Sequence, residues 1–314
     1  MRPKRALPRI FKQKRFCVLA VSALLLAGAV ADSIRLRGER WLAPGKRVAA
    51  LTSQPRECLD PTADARLAAI GRAAFRDPLL LGGQGARVQL SCATCHPSGR
   101  SNPAFLLPEL SDRPGTADVT SSLMSSHRGN GVFDPKPIPD LTASGKVSRD
   151  PASPALATFV HGLITEEFDG NEPPPLAFKG LLAYLRALRA CRPDEREPIT
   201  VDAAIADTQA AMRAASDALS LGDRPAARLM IGAARMTLGS IDERYAMPTI
   251  ERDRAAIAAA DRQLLALQLA LDRGENIAPR LASWRFPQAL AERLRRDAPR
   301  SLYESAVLAS SIKN

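Results

Sequence analysis

Histidine is scarce in this chain: across 314 residues there are only His96, His127 and His161. Cysteine is scarce too, with five in all and none beyond Cys191. A closed zinc site needs four such ligands in a compact cluster. Cys92, Cys95 and His96 have no obvious further Cys or His beside them, which argues against structural zinc. Acidic side chains are missing from the first 31 residues. The first fifteen instead carry seven basic ones: Arg2, Lys4, Arg5, Arg9, Lys12, Lys14 and Arg15. With those seven set aside, the formal net charge of +11 falls to +4, 37 basic residues against 33 acidic. A basic excess held largely in a leader gives no support to nucleic-acid binding.

Phe16 to Ala31 is an uncharged, mostly apolar run ending in Ala29-Val30-Ala31. A basic start, an apolar stretch and an A-x-A end are the layout of a secretory signal peptide, residues 1–31, with cleavage expected after Ala31. Left uncleaved, the run would anchor the chain to the inner membrane, although its sixteen residues are short for a span. Cys17 inside it reads as a small hydrophobe. The expected compartment is the bacterial periplasm, where disulfides persist.

The centre of the chain is Cys92-Ala93-Thr94-Cys95-His96, and Cys-x-x-Cys-His is the attachment signature of c-type haem. Two thiols three apart on one helical turn can reach the two vinyl groups of one porphyrin edge. The next residue then points its imidazole at the iron. The expectation is one covalent haem c, with Cys92 and Cys95 as anchors and His96 as proximal ligand. Cys58 and Cys191 are left as a pair of thiols or, preferred in that compartment, as a disulfide. Closing a loop of that size is worth about 4–5 kcal/mol in the chain-entropy model.

Residues 32–59 read as an extended lead-in. Asp60-Pro61 offers a helix start, a capping carboxylate followed by proline. Leu67, Ile70, Gly71, Ala74 and Phe75 then share one helical face, and Asp77-Pro78 ends the helix. A second helix is expected over about 176–188, with Leu181, Tyr184, Leu185 and Leu188 on its apolar face. A Gly and an aromatic four apart on a first helix, meeting a Leu/aromatic pair on a last one, resemble the helix crossing of class I cytochromes c. The stretch from Phe75-Arg76-Asp77-Pro78 through Gly82-Gly83 to Cys92-Ala93-Thr94-Cys95-His96 resembles the first haem domain of the di-haem cytochrome c peroxidase and MauG-like superfamily. That resemblance covers roughly 65–190 and implies thioether roles for Cys92 and Cys95 and an iron-ligand role for His96. The family's second Cys-x-x-Cys-His is absent here, and with it the partner haem that a peroxidase of this type uses.

Segment 97–175 holds 12 of the 25 prolines and reads as an ordered wrap around the porphyrin. Phe105, Leu106, Leu107, Leu123, Val132, Phe133, Ile138 and Leu141 are the candidate wall. For the sixth iron position His127, in a Gly-flanked loop, ranks first, with Met124 and His161 as alternatives. A sixth protein ligand would suit electron transfer, whereas an open position would admit peroxide.

From residue 199 the chain turns to Ala, Arg and Leu. Val201, Ile205, Thr208, Met212, Ala215 and Leu219 recur at alternating four and three. Gly222-Asp223 and Met247-Pro248 separate this run from two more, Ala227 to Tyr245 and Ile250 to Leu271. The expected fold class is therefore all-α: a class I cytochrome c-like domain over 60–192, then an antiparallel helical bundle over 199–314. Three functions remain in play: single-electron transfer with a redox partner protein, peroxidase-like chemistry, and a haem-containing interaction protein that oligomerises through its bundle.

Overall fold

The computed structural model describes residues 36–312 apart from 121, 122, 128, 193 and 194. The signal peptide and the membrane-anchor alternative fall outside the described residues. The described residues form one compact unit, mostly helical, as an all-α chain requires. Among the described residues no helix is long and apolar enough to cross a membrane.

The lead-in is not extended as expected. It holds a 3-10 turn at Arg37–Trp41, helix α1 at Arg47–Thr52, and strands β1 at Ser53–Pro55 and β2 at Cys58–Leu59. The reason is burial: Trp41 and Leu51 are both packed into the interior and draw the backbone into turns around them.

Helix α2 runs over Ala65–Arg76 and begins four residues later than the Asp60-Pro61 signal suggests. Asp64 is the cap, its Oδ1 accepting the N–H groups of Arg66 and Leu67 at 3.0 Å. Asp60 Oδ1 is spent on a turn, accepting from Thr62 N at 2.9 Å and Thr62 Oγ1 at 2.7 Å. Asp77 and Pro78 end α2 as anticipated. Short helices α3 (Pro78–Leu81), α4 (Gly83–Arg87) and α5 (Cys92–Cys95) follow.

The proline-rich stretch contains strands β3 (Thr116–Ala117) and β4 (Lys136–Pro137), paired antiparallel. It also contains helix α6 (Ala155–Gly162), which runs on into a π-helical turn at Leu163–Glu167. Backbone hydrogen bonds fasten it to the lead-in, Ala43 N–H to the Ala104 carbonyl at 2.8 Å and Leu106 N–H to the Trp41 carbonyl at 2.9 Å.

Helix α7 spans Pro175–Ala187 and crosses α2 at two glycines. A Cβ on Gly71 would lie 1.9 Å from the Gly180 carbonyl oxygen, so neither position has room for a side chain. Phe75 and Tyr184 fill the crossing with ring centroids 5.2 Å apart, and Leu181 is fully buried beside them. Each buried large side chain contributes roughly 1.5–3 kcal/mol. Tyr184 Oη donates to Glu57 at 2.6 Å, and Glu57 faces Arg72 at 2.5 Å and Arg76 at 3.5 Å. Burial works to raise the Glu57 pKa, but Arg72 and Arg76 outweigh it and hold the carboxyl below its ordinary range.

Strands β5 (Leu188–Arg189) and β6 (Arg196–Pro198) return to pair with β2 and β1. This return joins Cys58 to Cys191 in a disulfide with Cα atoms 5.6 Å apart, just before α2 and just after α7.

Helices α8 (Val201–Ser220), α9 (Arg224–Arg244) and α10 (Glu251–Asp272) follow, then α11 (Ala278–Ser283), α12 (Gln288–Asp297) and α13 (Ser305–Ser311). The heptad-like stripes face inward: Ile205, Met212, Ile231, Leu238, Ile257 and Leu264 are all buried. Met212 and Met230 fill core, as their spacing implies. Gly222 (φ 83°) makes the left-handed turn between α8 and α9. Asp223 then caps two helices at once, accepting Ala226 N–H and Leu176 N–H at 2.8 Å each. Arg72 and Arg76 of α2 both reach Asp207 of α8. One hydrophobic core runs without a break from Trp41 to Leu294.

Candidate haem-attachment site

Helix α5 is a single turn, and its start is fixed locally. Ser91 N–H donates to Thr94 Oγ1 at 3.1 Å, Thr94 N–H donates back to the Ser91 carbonyl at 3.0 Å, and the two hydroxyls lie 3.3 Å apart. Cys92 and Cys95, three apart, share one face of that turn. Both are half-buried free thiols packed against the core. Burial pushes each thiol pKa up to about 12, so both stay protonated at neutral pH.

His96 follows directly. Burial pushes its pKa down to about 4, against smaller opposing effects of the Pro139 carbonyl and Asp140. The imidazole is therefore neutral. Its Nδ1 lies 3.0 Å from the Pro139 carbonyl oxygen, which can only accept, so Nδ1 carries the hydrogen and donates. Nε2 is left with its lone pair and, among the described residues, no hydrogen-bond partner. A ring nitrogen held in this tautomer by a backbone carbonyl is the usual state of a metal-binding histidine.

The Pro139 carbonyl is itself fixed from both sides. Ile138 N–H donates to the Gly115 carbonyl and Leu141 N–H to the Gly99 carbonyl, each at 2.9 Å. Arg100 and Asp140 pair at 2.6 Å. Gly99 sits in the left-handed region (φ 77°), and a Cβ there would come within 2.6 Å of Leu188 Cδ1. The turn after His96 is thus pressed onto the end of α7. Two thiols on one face, an imidazole with a free Nε2 and an apolar surround are a donor set that fits a covalently attached haem.

The three remaining axial candidates have different surroundings. Met124 is buried at 2 % exposure within the hydrophobic core. The His127 side chain is 64 % exposed, and its Nδ1 faces Asp169 at 2.9 Å. His161, on α6, pairs through Nε2 with Glu172 at 2.7 Å, and its ring meets Phe178 edge-on. Of the three, Met124 is the buried one, whereas the sequence ranks His127 first.

Of the expected wall, Phe105 and Ile138 are buried, and Leu106, Leu107 and Leu141 are partly so. Leu123, Val132 and Phe133 are exposed. In irregular backbone no period ties an apolar residue to one face, so their hydrophobicity said nothing of direction. A cavity of about 1160 Å³ opens elsewhere, between the lead-in, α2, α8 and α9. Ala93 and Thr94 line it; the two thiols and His96 do not.

Two site features escaped the sequence reading. Pro139 acts through a carbonyl 43 residues from its partner, and no residue-type pattern marks such a contact. Gly180 carried a usable signal: glycine inside a helix costs about 1 kcal/mol relative to alanine and calls for a reason. The chain matches no protein-family model, no curated protein and no solved structure.

Proposed function

We propose that this chain is an exported, single-haem c-type cytochrome that passes one electron at a time to or from a redox partner protein. The observation that carries the reading is His96: its Nδ1 donates to Pro139 while its Nε2 is free, directly after two unpaired thiols on one helical turn. The Gly71–Gly180 crossing with Phe75 and Tyr184 supports a class I cytochrome-like domain.

Cys92 and Cys95 would hold the porphyrin through thioether bonds, and His96 would bind the iron. Bound haem supplies a reversible one-electron Fe(III)/Fe(II) couple. The Pro139 carbonyl keeps the His96 ring from rotating and makes Nε2 a better donor. Met124 is the candidate sixth ligand: it is the buried one of the three, and a thioether there would raise the potential relative to a second imidazole.

The test is an absorption spectrum of the full chain made in a host that matures c-type cytochromes. The expected result is covalent haem, one per chain, low-spin in both oxidation states. Met124→Ala should remove the sulfur-to-iron charge-transfer band, and His127→Ala and His161→Ala should keep it. Colourless protein would overturn the reading. A high-spin protein that reacts with peroxide would turn it toward the peroxidase-like alternative.

A further inference from the structure

Asp169 is one of three non-glycine residues with positive φ among those described, at φ 54°. Strained backbone of this kind persists only where its surroundings over-determine it, and it concentrates at functional sites. Asp169 lies just past the π-helical turn Leu163–Glu167 that interrupts the end of α6. Such turns also favour functional positions.

From one side the turn is pinned by backbone. A Cβ on Gly83, itself at φ 48°, would fall 2.0 Å from the Phe168 carbonyl oxygen. A Cβ on Gly170 would fall 2.3 Å from the Leu81 carbonyl oxygen. Gly170 N–H closes the turn onto the Ile164 carbonyl at 2.8 Å. The 168–170 turn and the 81–83 turn are therefore pressed together with no side chain between them.

On its other side, Asp169 holds the segment that follows Met124. Both its carboxylate oxygens accept the Ser126 N–H, at 2.9 and 2.8 Å. Oδ1 also receives His127 Nδ1 at 2.9 Å. Next to it, Ser125 Oγ donates to the Glu166 carbonyl and accepts His127 N–H at 3.1 Å. Three contacts to the Asp169 side chain, which sits on left-handed backbone, and one to the Glu166 carbonyl thus hold residues 125–127 from outside the segment.

We propose that Asp169 is a positioning residue for Met124: from a strained turn it latches residues 125–127 and so keeps the Met124 thioether in the interior as the axial ligand. The proposal rests on the haem reading above. Its parts are the glycine-backed turn, the bidentate carboxylate and the buried thioether. His127, on this view, is a bolt of the latch rather than a ligand.

The experiment compares Asp169→Ala, Asp169→Asn and His127→Ala in the full-length, haem-loaded protein. Three readouts apply: amide hydrogen exchange at Ser126, the sulfur-to-iron charge-transfer band, and the rate of cyanide binding to the oxidised protein. An external ligand binds in proportion to the open fraction. Asp169→Ala should raise both the exchange and cyanide rates by roughly tenfold or more, with the band weakened. Asp169→Asn, which keeps an oxygen for the Ser126 N–H, should restore much of the loss. His127→Ala, at an exposed site that leaves folding intact, should give a smaller shift in the same direction. Unchanged rates and band in Asp169→Ala, where Met124→Ala does abolish the band, would overturn the latch and leave the ligand standing. A band that survives Met124→Ala would overturn both.

Discussion

Gly71 on α2 and Gly180 on α7 meet backbone against backbone, close enough that a single added methyl group on Gly71 would overlap the opposing carbonyl. The haem-motif segment leaves the end of α2, and the turn after His96 packs on the end of α7. Any separation of the two helices therefore reaches the site. Gly71→Ala or Gly180→Ala should cost about 3 kcal/mol or more, at the upper end for overpacking, because the obstacle is backbone and cannot rotate away. Urea denaturation of each variant checks this; a midpoint within error of the parent would contradict the crossing.

Cys92→Ser and Cys95→Ser should each leave haem held by one thioether, moving the α-band of the pyridine haemochrome to longer wavelength. The double variant should release haem on acid–acetone extraction. A parent-like band position in either single variant would contradict attachment at that cysteine.

Asp77 makes stability depend on pH. Its Oδ1 caps α3 through Leu79 N–H at 2.9 Å, but its Oδ2 is buried against Gly232 of α9 without a hydrogen-bond donor among the described residues. Burial raises its pKa to about 7, the Leu79 N–H opposing. An acid with a raised folded-state pKa binds more protons folded than unfolded between its unfolded pKa and about 7. Stability falls across that window as pH rises. Asp77→Asn should therefore be near neutral at pH 4 and stabilising by roughly 2–4 kcal/mol at pH 8. Urea midpoints of parent and variant at the two pH values check the sign.

The Cys58–Cys191 bridge spans 133 positions. Replacing both cysteines by serine should cost about 4 kcal/mol, since long loops lose most entropy on closure. Non-reducing peptide mapping should recover the pair joined, and thermal unfolding should show the loss.

The legible parts of this chain were those with a period or a fixed local spacing. Ile231, Leu238 and Ile241 announce their burial because a helix repeats every 3.6 residues, whereas the close crossing at Gly71 and Phe75 was implied by their resemblance to class I cytochromes c. The Cys-x-x-Cys-His spacing is local too, and it puts Cys92 and Cys95 on one helical turn with His96 directly after it. The cap was harder: the sequence points to Asp60, but Asp60 is taken up by its turn with Thr62 and Asp64 caps the helix instead. Long-range backbone contacts left no trace, so neither the Pro139 carbonyl beneath His96 nor the Asp169 grip on Ser126 could be read in advance. That Met124 is buried and His127 exposed could not be read in advance either, because in irregular chain composition does not say which way a side chain turns.

The distance along the chain between Cys58 and Cys191 has one more consequence, for the order of events during production. Closure probability falls with loop length, so in an oxidising medium the thiols at 92 and 95, three apart, meet far sooner than a pair 133 apart. The long bridge must wait until β5 lies against β2, which places it after α7 has docked. Unless a reductant or, on the haem reading proposed above, an incoming porphyrin claims the short pair first, air oxidation would trap it in a four-residue ring. Yield of the native form is thus decided by a race between two reactions and not by the stability of the finished molecule.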